Sequence, residues 1–305
     1  MNKLLVRKPE WLKVKAPGGE NYTFIKQKLR EKKLHTVCEE ASCPNIGECW
    51  GGGTATFMLM GDTCTRGCRF CHVTAGKPKA LDPHEPQKVA EVVASLNLTY
   101  IVLTSVDRDD LADGGASHFA QTVGEIKRLN SSIIVESLIP DFQENDQAIR
   151  IMAECGGEVV DHNVETIERL TPMVRDPRCS YKQSLNVLKK LKSFNPRLYT
   201  KSSIMVGVGE KEEEVFTTMD DLRSVGVDIL TVGQYLRPSH KNLAVSEYVS
   251  PGEFKRYQEV GENKGFLYVA SGPLVRSSYK AGEFFLESLI RRCDFVIPAK
   301  AGIFT

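Results

Sequence analysis

Short apolar, β-branched segments alternate with helical patterns from about residue 54 to residue 270, and this alternation restricts the fold more than any other feature of the chain. The predicted strands are Thr54–Met60, Tyr100–Ser105, Ile133–Leu138, Glu158–His162, Leu198–Val206 and Ile229–Gln234. Between the strands, apolar residues recur at helical spacing, as at Val89, Val92, Val93 and Leu96. Alternation of this kind is typical of βα units around a parallel sheet, so we predict an α/β fold, a partial (β/α)6 barrel of the TIM type.

The two ends of the chain lack this alternation. We predict an N-terminal extension over residues 1–53, the barrel over residues 54–270 and a C-terminal extension over residues 271–305. No stretch reaches membrane-spanning length, and 40 Lys and Arg against 39 Asp and Glu leave a net charge of +1. The sequence therefore favours neither a membrane nor nucleic acid as a partner, and we expect a monomer.

Nine cysteines are an odd number, so they cannot all pair in disulfides within one chain. At the start of the chain the apolar run is only Leu4, Leu5 and Val6 before Arg7, which is too short for a secretory signal. We therefore expect a reducing compartment, which is the cytoplasm or, if the chain is processed, an organelle matrix. Clustered thiols in such a compartment predict metal binding.

Cys64, Cys68 and Cys71 follow the first predicted strand with the spacing C-x3-C-x2-C, and Gly67 eases the backbone curvature between them. A structural zinc ion takes four ligands, and so does a 4Fe-4S cluster held only by cysteines. Three thiolates on a four-iron cube leave one iron open to a substrate or cofactor. The alternative is a zinc knuckle with His72 as fourth ligand, which is disfavoured because adjacent Cys71 and His72 point poorly toward one tetrahedral metal.

Cys38, Cys43 and Cys49 form a second group, spaced C-x4-C-x5-C ahead of the barrel. Six of the nine cysteines fall within 34 residues, which favours a second metal-binding loop over scattered packing residues. The other three, Cys155, Cys179 and Cys293, have no such neighbours, and we predict structural roles for them.

The C-x3-C-x2-C motif, with Phe70 before its last cysteine, resembles the cluster motif of the radical S-adenosylmethionine (SAM) superfamily. The resemblance implies that the open iron chelates the methionine moiety of SAM. It also implies that an electron from the reduced cluster cleaves SAM, and that the resulting 5'-deoxyadenosyl radical abstracts hydrogen from unactivated carbon.

Both cysteine motifs in this order, followed by Arg276, Ser277, Ser278 and Tyr279 in GPLVRSSYKAGE, resemble the lipoyl synthase family over about residues 30–285. The resemblance implies a sulfurtransferase that inserts two sulfurs, at C6 and C8 of an octanoyl chain on a carrier lysine, and uses two SAM molecules per lipoyl group. It implies two 4Fe-4S clusters, a radical-generating one on Cys64, Cys68 and Cys71 and an auxiliary one, consumed as sulfur source, on Cys38, Cys43, Cys49 and Ser278. A serine oxygen should hold a soft iron-sulfur cube less firmly than a fourth thiolate, so Ser278 joins the barrel cysteines as a catalytic candidate.

The same resemblance implies the partners. The substrate is an octanoylated lipoyl carrier domain, either the 2-oxoacid dehydrogenase E2 component or the glycine-cleavage H protein, and the electron donor is a one-electron reductant such as ferredoxin or flavodoxin. The basic stretch at Lys26, Lys28, Arg30, Lys32 and Lys33 could dock the carrier, although a solvated helix face explains these charges more simply.

SAM carries a carboxylate, an ammonium group, a ribose diol and an adenine, and polar residues crowd the ends of the predicted strands. Catalytic residues of α/β barrels lie at these strand ends. We predict SAM contacts from Phe70, Thr104, Ser105, Asp107, Glu136, Asn163, Glu165, Lys201, Ser203 and Arg237.

Two other functions fit parts of the sequence. A biotin-synthase-like sulfur inserter would explain two clusters but not the RSSY element, and a noncatalytic iron-sulfur carrier would not need a barrel. Taken alone, Ser277 and Ser278 would be interpreted as an N-cap on a helix over Lys280–Ile290. We favour a ligand role instead, because the N-terminal cysteines lack a fourth ligand.

Overall fold

A computed structural model describes residues 8–14 and 16–278 of the chain. Tyr279, the predicted helix Lys280–Ile290, Cys293 and the tail lie outside the described residues. None of the described helices is long and apolar enough to cross a membrane.

Eight strands form one sheet, in the order β1-β2-β5-β6-β7-β8-β9-β10. They are β1 His35–Thr36, β2 Thr56–Leu59, β5 Tyr100–Ser105, β6 Ile134–Leu138, β7 Val159–Asp161, β8 Tyr199–Val206, β9 Ile229–Gln234 and β10 Tyr268–Gly272. A separate parallel pair consists of β3 Thr63–Cys64 and β4 Thr74–Ala75. The seven strands from β2 onward run parallel, and only β1 is antiparallel to its neighbour.

Helices precede the main sheet and alternate with its strands. They are α1 Glu20–Lys32, α2 Val37–Glu40, α3 Ile46–Gly51, α4 Glu85–Ser95, α5 Ala116–Leu129, α6 Asp146–Glu154, α7 Thr171–Val174, α8 Tyr181–Phe194, α9 Glu212–Ser224 and α10 Pro251–Asn263. Single 3-10 turns lie at Glu10–Leu12, Phe142–Glu144 and Glu168–Leu170. Six successive βα units therefore form the predicted partial barrel, which is confirmed.

Helix α4 illustrates why these segments fold as they do. Its apolar stripe buries Val89, Val92 and Val93 against the sheet, as the spacing predicts. Ser180 and Ser250 are the N-caps of α8 and α10, and their hydroxyls accept the N–H of the third helical residue in a capping box.

Four strands were not predicted: the short pair β3 and β4, and two strands of the main sheet. β10 continues the parallel sheet beyond β9 and spans the predicted end of the barrel at residue 270, while β1 joins the N-terminal extension to β2. The sheet thus reaches into both extensions, and Val37, residues 41–44 and residues 275–278 line one cavity together with the strand ends.

Candidate functional site

A cavity of about 490 Å³ opens at the carboxyl ends of the parallel strands. All three cysteines of the loop between β3 and β4, Cys64, Cys68 and Cys71, line it. We call residues 63–75 the barrel loop. Its two ends pair as parallel strands, and the Gly76 N–H donates to the Cys64 carbonyl at 2.8 Å, so the loop closes on itself beside the cavity.

Arg66, between the first two cysteines, fixes the barrel loop to the barrel. Its buried guanidinium donates to both oxygens of Asp109 at 2.8 and 2.9 Å and to Asp141 Oδ1 at 2.6 Å. Burial acts to raise the pKa of Asp141, but the Arg66 guanidinium more than offsets this and holds that pKa below its usual value. The pair is therefore ionised and locks the loop in place.

The turn after α7 holds the same loop from the opposite side. Asp176 accepts the Gly67 N–H at 2.8 Å, and its own N–H lies 3.3 Å from Cys68 Sγ. Cys179 is buried, accepts from Arg66 Nη1 at 3.2 Å, lies beside Cys68 and lines the cavity. Cys179, predicted as merely structural, is therefore part of the cavity wall.

The first barrel cysteine is held by backbone amides. Cys64 Sγ accepts from the N–H groups of Arg66 and Asp107, each at 3.4 Å, and lies 3.6 Å from Asp107 Oδ2. Burial and the Asp107 charge raise the pKa of Cys64 to about 12. Iron binding here would release a proton from the thiol.

Most predicted SAM contacts line this cavity. They are Phe70, Thr104, Ser105, Asp107, Asn163, Glu165, Ser203 and Arg237. Asn163 Nδ2 donates to Glu165 Oε1 at 3.1 Å, while the buried Oδ1 of Asn163 and the hydroxyl of Ser105 have no partner among the described residues. These free polar atoms face a cavity that a polar ligand such as SAM fits.

Two predicted contacts, Glu136 and Lys201, lie elsewhere. They form a buried ion pair at 2.5 Å inside the barrel, below the cavity, and Tyr100 also donates to Glu136. Glu136 stands two residues before Leu138, which does line the cavity, so its side chain faces the barrel interior one layer deeper. The guanidinium of Arg237, by contrast, lies at the cavity but already donates to the Asn242 carbonyl at 2.9 Å.

His162 is hydrogen-bonded through both ring nitrogens rather than free to bind metal. One ring nitrogen is 2.9 Å from the Ile139 carbonyl and the other 2.9 Å from Ser184 Oγ. Burial lowers the pKa of His162 to about 4, so the ring is neutral.

A second, smaller cavity is lined by the N-terminal cysteines Cys38, Cys43 and Cys49 together with Ser278. We call these four residues the terminal cradle. Cys38 lies on α2, Cys49 on α3 and Cys43 in the turn between them. Asn45 donates to the Leu274 carbonyl at 2.7 Å and so ties the cysteine turn to the segment that carries Ser278.

The two cavities share part of their walls, because Cys43, Arg276 and Ser278 line both. Burial raises the pKa of Cys38 to about 11 and also raises the pKa of Cys43, so both are thiols without metal. In residues 8–14 and 16–278 no three His, Cys, Asp or Glu side chains are gathered tightly enough to form a ready-made metal site. The donor set nevertheless fits soft iron, since each cavity presents one complete group of three cysteines.

Comparisons with known proteins agree with this chemistry. The model of the radical SAM superfamily matches residues 58–222, and the model for the N-terminal domain of lipoyl synthase matches residues 2–43. The chain is 61% identical over 291 residues to the mitochondrial lipoyl synthase of Drosophila pseudoobscura pseudoobscura, which covers 93% of this chain and 78% of that protein. The mitochondrial lipoyl synthase of Drosophila melanogaster is 58% identical over 306 residues, covering 97% and 81%.

Solved structures resemble the fold. Streptococcus suis SuiB bound to S-adenosylmethionine matches with a TM-score of 0.56 and 9% identity, over 84% of this chain and 57% of that one. The FeFe-hydrogenase maturase HydG from Carboxydothermus hydrogenoformans matches with a TM-score of 0.55 and 13% identity, over 89% and 78%. At this identity the likeness concerns the fold alone, whereas the relatives at about 60% identity and the two family models decide the family. The chain belongs to the lipoyl synthase family of the radical SAM superfamily.

Proposed function

We propose that the chain is a sulfurtransferase that inserts sulfur at C6 and C8 of an octanoyl group amide-linked to a lysine of a lipoyl carrier domain. One observation carries this proposal. The cavity lined by the barrel loop shares wall residues with the cavity of the terminal cradle. An octanoyl chain bound in the first cavity would therefore lie next to the second. Hydrogen abstraction and sulfur transfer must reach the same carbon atoms, and this arrangement suits both.

In the main cavity, Cys64, Cys68 and Cys71 would hold a 4Fe-4S cluster with one iron open, and Asn163, Glu165, Ser105, Thr104, Asp107, Ser203 and Phe70 would surround SAM. The cluster and SAM together supply the radical chemistry. The protein holds the loop in place through hydrogen bonds of Arg66 and Asp176.

In the terminal cradle, Cys38, Cys43, Cys49 and Ser278 would hold the auxiliary cluster, which supplies the sulfur. Ser278 lies on the wall that faces the main cavity, as does Cys43. Because a hydroxyl binds soft iron less firmly than a thiolate does, the cradle is weakest at the corner nearest the substrate.

The octanoylated carrier is the E2 component of a 2-oxoacid dehydrogenase or the glycine-cleavage H protein, and ferredoxin or flavodoxin supplies electrons. The most similar relatives reported above carry "mitochondrial" in their names, so of the two compartments predicted from the sequence we favour the organelle matrix over the cytoplasm.

The test is anaerobic reconstitution followed by single turnover on an octanoylated carrier domain, with an unmodified carrier as control. Two clusters predict about eight irons per chain and formation of lipoyl-lysine with two SAM cleaved per product. An iron plateau at about four would exclude the auxiliary cluster. SAM cleavage without lipoyl formation would favour a different sulfur inserter, and no SAM cleavage would favour a noncatalytic carrier.

A further inference from the structure

Arg276 occupies the wall between the two cavities. It lines both of them, as Cys43 and Ser278 do, and it is the only cation that borders the second cavity within the described residues. The backbone of its neighbour Val275 approaches the end of β9 so closely that a Cβ on Gly233 would lie 2.2 Å from the Val275 carbonyl. The segment carrying Arg276 is therefore seated tightly on the barrel.

The guanidinium of Arg276 has donors that the described part of the protein does not use. Nη1 donates to the Val275 carbonyl at 2.5 Å, while Nη2 is buried and has no acceptor among residues 8–14 and 16–278. A buried N–H of a cation without an acceptor is unfavourable, so this group points to an anionic or strongly accepting partner. Cys43 is near enough for the two side chains to interact electrostatically.

We propose that Arg276 Nη2 donates a hydrogen bond to a sulfur at the Cys43 and Ser278 corner of the auxiliary cluster. This inference rests on the proposed function, since it requires a cluster in the terminal cradle. An N–H···S hydrogen bond and a nearby positive charge both favour the reduced, more negative state of an iron-sulfur cluster. Arg276 is thus a positioning residue that raises the reduction potential of the auxiliary cluster and orients the sulfur facing the main cavity.

The experiment isolates the auxiliary cluster in the full-length chain. In a background carrying Cys64→Ala, Cys68→Ala and Cys71→Ala, the iron content and the midpoint potential of the remaining cluster are measured by dithionite titration and electron paramagnetic resonance. We expect Arg276→Gln to keep about four irons and to lower the reduced-to-oxidised ratio at fixed potential about tenfold, which equals about 59 mV for one electron. Arg276→Lys keeps the positive charge but not the planar guanidinium group, so it should shift the midpoint potential less than Arg276→Gln does.

Arg197→Gln, at an exposed position away from both cavities, is the matched control and should leave the potential unchanged. An Arg276→Gln chain with four irons and an unchanged potential would overturn the proposal. If the Gln variant loses iron, the Lys variant decides, because it keeps the positive charge and an N–H donor and should restore the four irons; loss of iron from the Lys variant as well would overturn the proposal. Failure of the background itself to hold four irons would contradict the proposed function rather than the role of Arg276.

Discussion

The barrel loop and the terminal cradle both gather three cysteines, but the protein builds them in different ways. The barrel loop takes its cysteines from eight consecutive residues, and ion pairs of the buried Arg66 with Asp109 and Asp141 hold it against the barrel. The terminal cradle joins residues 38–49 to Ser278, from the other end of the chain, and the Asn45 hydrogen bond to Leu274 crosses that junction. Under the proposed function, the first site keeps its cluster and the second gives up sulfur.

The largest expected effect on activity comes from replacing each group of three cysteines in turn. Replacing Cys64, Cys68 and Cys71 together with Ala should abolish SAM cleavage, because no open iron then remains to bind SAM. Replacing Cys38, Cys43 and Cys49 together should leave SAM cleavage and abolish sulfur insertion. Chromatographic assay of 5'-deoxyadenosine and of lipoyl-lysine separates the two results. Lipoyl formation by the second variant would show that the cradle is not the sulfur source.

The ion pair between Arg66 and Asp141, which holds the barrel loop, can be removed without replacing a cysteine. Arg66→Met leaves the buried carboxylate of Asp141 unpaired, which should lower the free energy of unfolding by about 3 to 5 kcal/mol. Anaerobic urea unfolding with iron quantitation measures both the destabilisation and loss of the barrel cluster. Arg128→Met, which breaks an exposed pair with Glu125, is the control and should change neither. An Arg66→Met chain as stable as the parent would mean that the ion pair does not brace the loop.

Ser278, the proposed weak ligand of the terminal cradle, can be replaced by a stronger ligand. A thiolate binds iron more tightly than a serine oxygen, so Ser278→Cys should retain the auxiliary cluster yet slow sulfur transfer about tenfold, a barrier higher by about 1.4 kcal/mol. Ser278→Ala should instead make the cluster labile, and Ser277→Ala is the milder control. Single-turnover lipoyl formation with iron content distinguishes these variants. Transfer at the parent rate by Ser278→Cys would remove Ser278 from the mechanism.

The sequence predicted the barrel better than it predicted the site. Strands β5 and β9 have the predicted limits, because each is rich in apolar and β-branched residues and is almost fully buried. β1 was missed because two residues carry no pattern, and β10 because its Ala, Ser and Gly are not typical strand formers. Strand periodicity predicts which face of the sheet a side chain takes but not its depth in the barrel. The sequence therefore could not show that Glu136 and Lys201 lie below the cavity rather than beside it.

The residues that the sequence did not single out are those whose partners are distant. Arg66 meets carboxylates 43 and 75 residues further along the chain, and such pairs have no local signature. A cation between closely spaced cysteines was the available signal, because a positive charge buried there requires carboxylates. Cys179 had no signal of its own, since only the turn around Asp176 brings it beside Cys68.

The smallest effect concerns the junction of the terminal cradle. Asn45→Ala removes the hydrogen bond to Leu274 and should cost about 1 kcal/mol of stability, because a buried neutral hydrogen bond contributes that much. Asn195→Ala is the matched control, since Asn195 donates a comparable bond to the Ala153 carbonyl at 2.9 Å, remote from both cavities. Both variants should lose similar stability, but only Asn45→Ala should lose auxiliary iron faster to a chelator, because it loosens the segment that positions Ser278. Equal rates of iron loss in the two variants would show that the junction does not hold the cradle closed.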